Sequence, residues 1–318
     1  MKVSVIIPTK NAGKQFENVL ETVLNQDTSW AFEVLVIDSG SSDGTVEYIE
    51  SKTNIRSYQI PAKDFGHGKT RNYGASLANG EFLVFITQDA LPYNNNWLKE
   101  MVAPFDMSDE IVGVFGRHIA YENCDVFEKH NLEVHFNNFG ENIVVYKMED
   151  KEKYKQDEGY KHLLCFYSDN SSAMRKSMWK NIPYDDVDFA EDQLWAKKII
   201  ELGYSKAYNS NAIVYHSHNY NFTELMKRSY DDHKGLYNIY GYIPVKNILL
   251  LPVYIVKSII NDFYFLKTLD IHRIEKKKWL VFSVRKNISK YVGAYLGSKS
   301  KYNLINKFFS RELVLRNQ

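Results

Sequence analysis

The chain has 318 residues, 44% of them hydrophobic, enough to bury a full core in one large domain or two smaller ones. Charged residues make up 25%, an ordinary share for a globular protein, and the two cysteines, Cys124 and Cys165, form no CxxC pair. A disulfide framework is therefore not expected, and a reducing, cytoplasmic setting fits. The net charge of +1 hides an asymmetry: from Pro244 onward there are 15 Lys+Arg against 4 Asp+Glu, which leaves 25 basic and 35 acidic residues in 1–243. An acidic body of residues 1–243 and a basic extension of residues 244–318 are expected.

The N-terminal "MKVSVIIPTKNAG" is too short in its apolar run for a signal peptide and predicts a first strand. No segment holds the roughly 18 uninterrupted apolar residues of a membrane span. "GKQFENVLETVLNQ" places Phe16, Val19, Leu20, Val23 and Leu24 on one helical face. "FEVLVIDSGSSDGT" is a second buried strand running into a small polar loop, "TVEYIESK" a helix and "IRSYQIP" a third strand. "KTRNYGASLANG" predicts a helix capped at Gly80, "EFLVFIT" a fourth strand and "NNWLKEMVAPF" a helix. This alternation predicts an α/β fold with a mostly parallel sheet and helices on both faces.

Further on, "GVFGRHIAY" predicts a strand, "DVFEKHNLEVHFNNFG" a helix and "DKEKYKQDEGYKH" an exposed loop. "CFYSDNSSAMRKSMW" has strand character and then turns, "DFAEDQLWAKKIIELGY" is an amphipathic helix ended by Gly203, and "AIVYHSH" is a strand. The extension is apolar and aromatic in "ILLLPVYIVKSIINDFYFLKTL", then basic and aromatic.

In an open parallel sheet, ligands bind at the carboxyl ends of the strands. Thr9 to Asn11, Asp38 to Asp43 and Thr87 to Ala90 are thus expected at one crevice. Asp38 can accept a hydrogen bond from a nucleotide base or ribose, or can simply cap a turn with Asp43. "DFGHGKTRNYG" sets His67, Lys69, Arg71 and Asn72 near a helix start, which suits a diphosphate, and the glycines beside His67 imply a close backbone approach. Asp89 offers a hard oxygen to Mg²⁺ or Mn²⁺. Glu191 and Asp192 open a helix, either as dipole partners or with one of them as a general base. His216 and His218 share a strand face, suited to a metal or to a hydrogen-bonded pair.

Together "VSVIIPTKN", "VLVIDSGSSDGT", "RNYGASLANGEFLVFITQDA" and "EDQLW" resemble the family 2 glycosyltransferases of GT-A, Rossmann-like fold, over about residues 1–220. "FGHGKTRN", "TQDA" and "VYHSH" resemble the rhamnosyltransferases of bacterial cell-surface polysaccharide synthesis. The resemblance implies residues 1–110 as the nucleotide-sugar half, 111–243 as the acceptor half, and inverting transfer from a dTDP-sugar, dTDP-L-rhamnose, to a lipid-linked saccharide at the inner face of the cell membrane. It implies that Pro8, Thr9, Asn11, Asp38, Ser39, His67, Arg71, Asn72 and Gln88 serve the donor nucleotide. It further implies Asp89 and His216 as ligands to a divalent metal, and Asp192, with Glu191 beside it, as the base. One departure stands out: Thr87 occupies the first carboxylate position of the family's DxD motif, which weakens the metal site and leaves open a binding protein without turnover. A dinucleotide-dependent oxidoreductase is disfavoured because no GxGxxG follows the first strand. The helical extension implies either contact with an anionic membrane surface or a homo-oligomer interface, and no nucleic-acid module is recognisable in it.

Overall fold

The computed structural model describes residues 1–187, 189–299 and 309–310. Strands β1 (Val3–Thr9), β2 (Phe32–Asp38), β3 (Arg56–Gln59) and β4 (Phe82–Ile86) alternate with helices α1 (Gly13–Leu24), α2 (Thr45–Glu50) and α3 (His67–Leu77). All five residues of β4 are buried, as are the first five of β1, so both faces of this part of the sheet are covered. The pairings β3–β2, β2–β1 and β1–β4 are parallel, and Thr9 sits opposite Asp38. The ladder from β1 to β4 stops at Ile6, two residues before Pro8, which has no amide to donate.

The chain continues through β5 (Leu91–Pro92), α4 (Trp97–Val102), β6 (Ile111–Ile119), α5 (Val126–Asn137) and β7 (Ile143–Tyr146). Then come α6 (Lys151–Gln156), α7 (Glu158–Cys165), β8 (Ser171–Arg175), α8 (Lys176–Asn181), α9 (Glu191–Glu201) and β9 (Ser205–Tyr215). The sheet order is β3-β2-β1-β4-β8-β6-β9-β5, with β7 also on β9. Strand β8 runs antiparallel between β4 and β6, while β6 and β9 are parallel to each other. The carboxyl ends of β1, β2, β4, β6 and β9 therefore share an edge with the amino end of β8.

Three local expectations are corrected. The charged stretch after Met148 is helical, because the Asp150 and Asp157 side chains cap α6 and α7 by accepting from Lys153 N (2.8 Å) and Tyr160 N (3.0 Å), and Tyr154 is buried. Helix α3 ends at Leu77 with its cap at Ala78 and not at Gly80. Gly80 is needed for another reason: a Cβ there would lie 2.5 Å from the Ser4 amide nitrogen of β1. The histidines of "VYHSH" follow β9 and do not lie in it.

Two compact units emerge, Met1–Val187 with Glu191–Ser217, and Asp188–Ala190 with His218–Gln318. The division at Ser217 falls before the 243/244 boundary read from charge, because α10 (Phe222–Tyr240) packs on α12 (Arg273–Lys299), which also packs on α11 (Leu251–Thr268). In that second unit the Ser229 hydroxyl donates to Lys290 O (2.6 Å), joining α10 to α12. The Asp262 carboxylate accepts from Ser283 Oγ and from Asn287 Nδ2 (2.8 Å), joining α11 to α12. Ile248–Thr268 is long and apolar enough to cross a membrane, with mean hydropathy 1.5 over its apolar window, no residue of which is fully buried. A search for uninterrupted apolar runs misses it because Lys257 and Asp262 break the run. Both cysteines are free and buried.

Candidate active site

The loops after β1 and β2 are stitched together by their own side chains. Asp38 Oδ2 accepts from the amides of Gly40 and Ser41 (both 2.9 Å), and Oδ1 accepts from the hydroxyls of Ser41 and Thr9, the latter at 3.3 Å. The Ser39 amide and hydroxyl both donate to Thr9 O at 2.9 Å. Asn11, with φ +46, donates through its amide to Ser41 Oγ (2.7 Å), and its Oδ1 accepts from Ser42 N (2.8 Å). Gln88 reaches across from the end of β4: its Oε1 accepts from Lys10 N (2.8 Å) and its Nε2 donates to Lys10 O (3.2 Å). Thr9 to Asn11, Asp38 to Ser42 and Gln88 are thus joined at one edge of the sheet, where they fix the shape of the loops.

The first residue of α3, His67, sets its ring edge-on to Phe65 at 5.1 Å. The glycine after it does permit a close approach, but to protein: a Cβ on Gly68 would lie 2.4 Å from Asp185 O. Asn72 is spent on the same segment, its Nδ2 donating to Tyr184 O (2.8 Å) and its Oδ1 accepting from Trp179 Nε1 (2.9 Å) and Tyr184 N (3.1 Å).

Arg71 is buried, and its partners are carboxylates. Its Nε lies 3.3 Å from Asp169 Oδ2, and its Nη1 pairs with Glu191. Asp169 also accepts from Ser172 Oγ (2.6 Å) and Tyr184 Oη (2.8 Å), and its own amide donates to Asp192 Oδ2 (3.1 Å). Two carboxylates thus contact one guanidinium, and a third, Asp192, is tied to one of them through the Asp169 amide. Burial, and then the charges of Glu191 and Asp169, push the Asp192 carboxyl well above the ordinary carboxylate range. Burial also raises Asp169, against the pull of Arg71. Glu191 is buried and engaged with Arg71, whereas Asp192, mostly buried, keeps part of its surface open. Ala190, immediately before this pair, holds φ +62, a conformation that costs a non-glycine residue roughly 1–2 kcal/mol.

On the other side of the edge, His216 Nε2 lies 3.6 Å from Asp89 Oδ1. His216 Nδ1 is 3.3 Å from Asn170 Nδ2, and its amide donates to Ile119 O (2.9 Å). The Asp89 carbonyl accepts from Tyr121 Oη (3.1 Å) and Gln15 Nε2 (3.4 Å), which fixes the carboxylate's backbone. His118, from β6, is buried with its ring 5.6 Å from that of His216; burial, with His216 next in effect, pushes its pKa well down and leaves it neutral. The Thr87 hydroxyl is buried with no hydrogen-bond partner among the described residues.

A carboxylate and an imidazole at this separation fit a divalent cation. Metal on His216 Nε2 requires the proton on Nδ1, so Asn170 must then present its amide oxygen there. His218 joins them: one ligand atom from each of Asp89, His216 and His218 lies within 4.8 Å of the others. Thr87 supplies no charge, so the rest of an octahedron is left to water or substrate.

Asp169 and Asn170 join the two halves of the site. Asp169 N holds Asp192, the Asn170 side chain meets His216, and Asn170 O accepts from Thr87 N at 3.5 Å. Sequence reasoning passed over both. It looked for polar residues after strands, and because β8 runs antiparallel, "SDNSS" delivers them before one. The signal was a pair of polar residues ahead of a short strand of small residues.

Residues 4–182 match glycosyl transferase family 2, and the chain belongs to that family. It is a glycosyltransferase of GT-A fold. It is 35% identical over 237 residues to the O-antigen chain rhamnosyltransferase RfbN of Salmonella typhimurium (strain LT2), covering 73% of this chain and 71% of that protein. Among solved structures it is similar to S. aureus TarS 1-349 (TM-score 0.54, 19% identity, 95% of this chain and 93% of that one). It is also similar to the mannosyltransferase PcManGT from Pyrobaculum calidifontis in complex with GDP-Man and Mn²⁺ (TM-score 0.59, 14% identity, 95% and 88%).

Proposed function

We propose that this protein transfers L-rhamnose from dTDP-L-rhamnose, with inversion, to a hydroxyl of a lipid-linked saccharide at the inner face of the cell membrane. The supporting observation is the bridge formed by Asp169 and Asn170, which ties a mostly buried carboxylate of raised proton affinity, Asp192, to the Asp89–His216 pair. The kinship with a rhamnosyltransferase supports the choice of donor.

In this reading the acceptor hydroxyl gives its proton to Asp192 as its oxygen bonds to the anomeric carbon. The bond to the diphosphate breaks on the opposite face of the sugar, and dTDP leaves with the electron pair. Asp89 and His216 would hold Mg²⁺ or Mn²⁺, the imidazole favouring Mn²⁺; the bound cation supplies charge neutralisation for the departing diphosphate. Arg71 acts at one remove, holding Glu191 and Asp169 so that Asp192 keeps its place. The loops around Asp38 and Asn11 present their shape to the nucleotide.

The test is nucleotide release from dTDP-L-rhamnose, UDP-GlcNAc and GDP-mannose with a lipid-linked saccharide acceptor, for the natural protein and Asp192→Asn. Release from dTDP-L-rhamnose that collapses in the variant is expected. Preference for a UDP- or GDP-sugar overturns the donor, and an unaffected variant overturns the base. Nucleotide binding without turnover with any of the three makes the chain a binding protein on this scaffold.

A further inference from the structure

Helix α11 is apolar on two sides. One side, with Ile255, Ile259, Asp262 and Leu266, is at least half-buried, and Asp262 bonds to Ser283 and Asn287 of α12. The other side carries Leu249 just before the helix, then Val253, Val256, Ile260, Phe263 and Tyr264, with exposures from 41% to 78%. The steps between them are those of a single helical stripe. A helix facing water on that side would carry polar residues there, and an exposed apolar row of this length marks a surface made to be covered.

We infer that this stripe is covered by an anionic lipid bilayer, with α11 lying in the plane of the interface. The charge around it selects the occupant. Lys257 lies on α11 and Lys267 at its end, and Arg273, Lys277 and Lys278 are exposed at the start of α12. The extension as a whole carries 15 basic residues against 4 acidic ones, so packing it against the same surface of a second copy brings like charges together. An anionic headgroup layer neutralises them and takes up the apolar row beneath.

The helix lies on the bilayer and does not cross it, although Ile248–Thr268 has the length to cross. Asp262 sits within α11, and among the described residues its hydrogen-bond donors come from α12. A crossing α11 takes Asp262 into hydrocarbon, either stripped of those donors or accompanied by α12 with Arg285, Lys286 and Lys290. Only the outer stripe can enter the lipid without that cost. Near the turn between α11 and α12 an open groove of about 610 Å³ is lined by His272, Ile274, Glu275, Lys278, Trp279 and Phe282, a lining that mixes an indole and apolar groups with charges of both signs, as found at headgroup depth. The inference rests on this surface and not on the transfer chemistry.

The test is flotation of the full chain with phosphatidylcholine vesicles and with vesicles containing about one third phosphatidylglycerol. Binding to the anionic vesicles at least tenfold stronger than to the neutral ones is expected, together with release by carbonate at high pH. Val256→Ser, Ile260→Ser and Phe263→Ser combined should lower that binding at least tenfold, while nucleotide release with a water-soluble acceptor stays within twofold. A protein that carbonate does not extract spans the membrane and overturns the inference. So does one that ignores both vesicles but sediments as a dimer that the triple variant returns to monomer, since the stripe is then a contact between copies. Loss of turnover with vesicle binding intact would fault only the proposed chemistry.

Discussion

Arg71 and Glu191 stand 120 residues apart in the chain and meet as a buried ion pair, with Asp169 on the guanidinium's other side. Removing one partner of such a pair leaves a buried charge uncompensated. Arg71→Met is expected to cost about 3–5 kcal/mol of stability, measured by urea unfolding. Adding Glu191→Gln should recover part of that loss, because it removes one of the charges left unpaired. If Arg71 acts directly on the nucleotide instead, the single variant loses donor affinity and keeps its unfolding midpoint.

Asp192 trades stability for reactivity. Its proton affinity is raised in the folded protein, so the fold binds that proton more tightly than the unfolded chain does. Stability is therefore greatest below the ordinary carboxylate range and falls as pH rises through the folded titration of Asp192. Asp192→Asn lacks that decline, so it should melt above the natural protein at neutral pH while losing about 10²- to 10⁴-fold in kcat. For the natural protein, kcat/KM should climb with pH to a midpoint above that of a free aspartate. A variant that melts lower at pH 7 removes the argument from desolvation.

With Thr87 in place of a second carboxylate, metal should bind weakly without nucleotide. Chelation is expected to abolish turnover and Mn²⁺ to restore it. His216→Ala should raise the Mn²⁺ concentration for half-maximal rate at least tenfold with little change in melting temperature, as expected for a half-buried ligand. Asn170→Ala should show a smaller shift of the same sign. Turnover that survives exhaustive chelation sinks the metal assignment.

Lys206 is fully buried in β9, donating to Leu163 O and Phe166 O at the end of α7 and lying 4.9 Å from the Phe115 ring centre. Burial pulls its pKa down to about 7. The unfolded lysine titrates near 10.4, so the unfolded chain holds more protons between those values, and stability should rise with pH across that window. Subtracting the pH–stability curve of Lys206→Met from that of the natural protein isolates this rise. A flat difference curve would show that the two carbonyls stabilise the ammonium fully.

The parallel half of the sheet was legible from the sequence because β1, β2 and β4 are short apolar runs, each followed by polar loop residues. The same rule drew Asp38, Asp89 and His216 to one edge. It failed at Asp169 and Asn170, where strand direction reverses, since nothing in "SDNSSAMR" announces an antiparallel strand. Arg71 and Asn72 show a second limit. Residue type marks them as anion binders, but only tertiary packing reveals that the anions are Glu191 and Asp169, and that Asn72 is tied to the 179–184 segment. The helicity of 151–165 was hidden because charged residues mask a period that Asp150 and Asp157 make possible by capping.

Gln88 holds the Lys10 peptide by both its N–H and its C=O, as a neighbouring strand would. The side chain thereby acts as a surrogate rung, extending the β1–β4 partnership beyond Ile6, where the ladder itself ends. The residue next to Gln88 is Asp89, and the residue after Lys10 is Asn11. A shift of the Lys10–Asn11 backbone is therefore expected to carry Gln88 along, and with it the neighbouring Asp89. Gln88→Glu keeps the acceptor but loses the donor, which would break one of the two bonds of that rung.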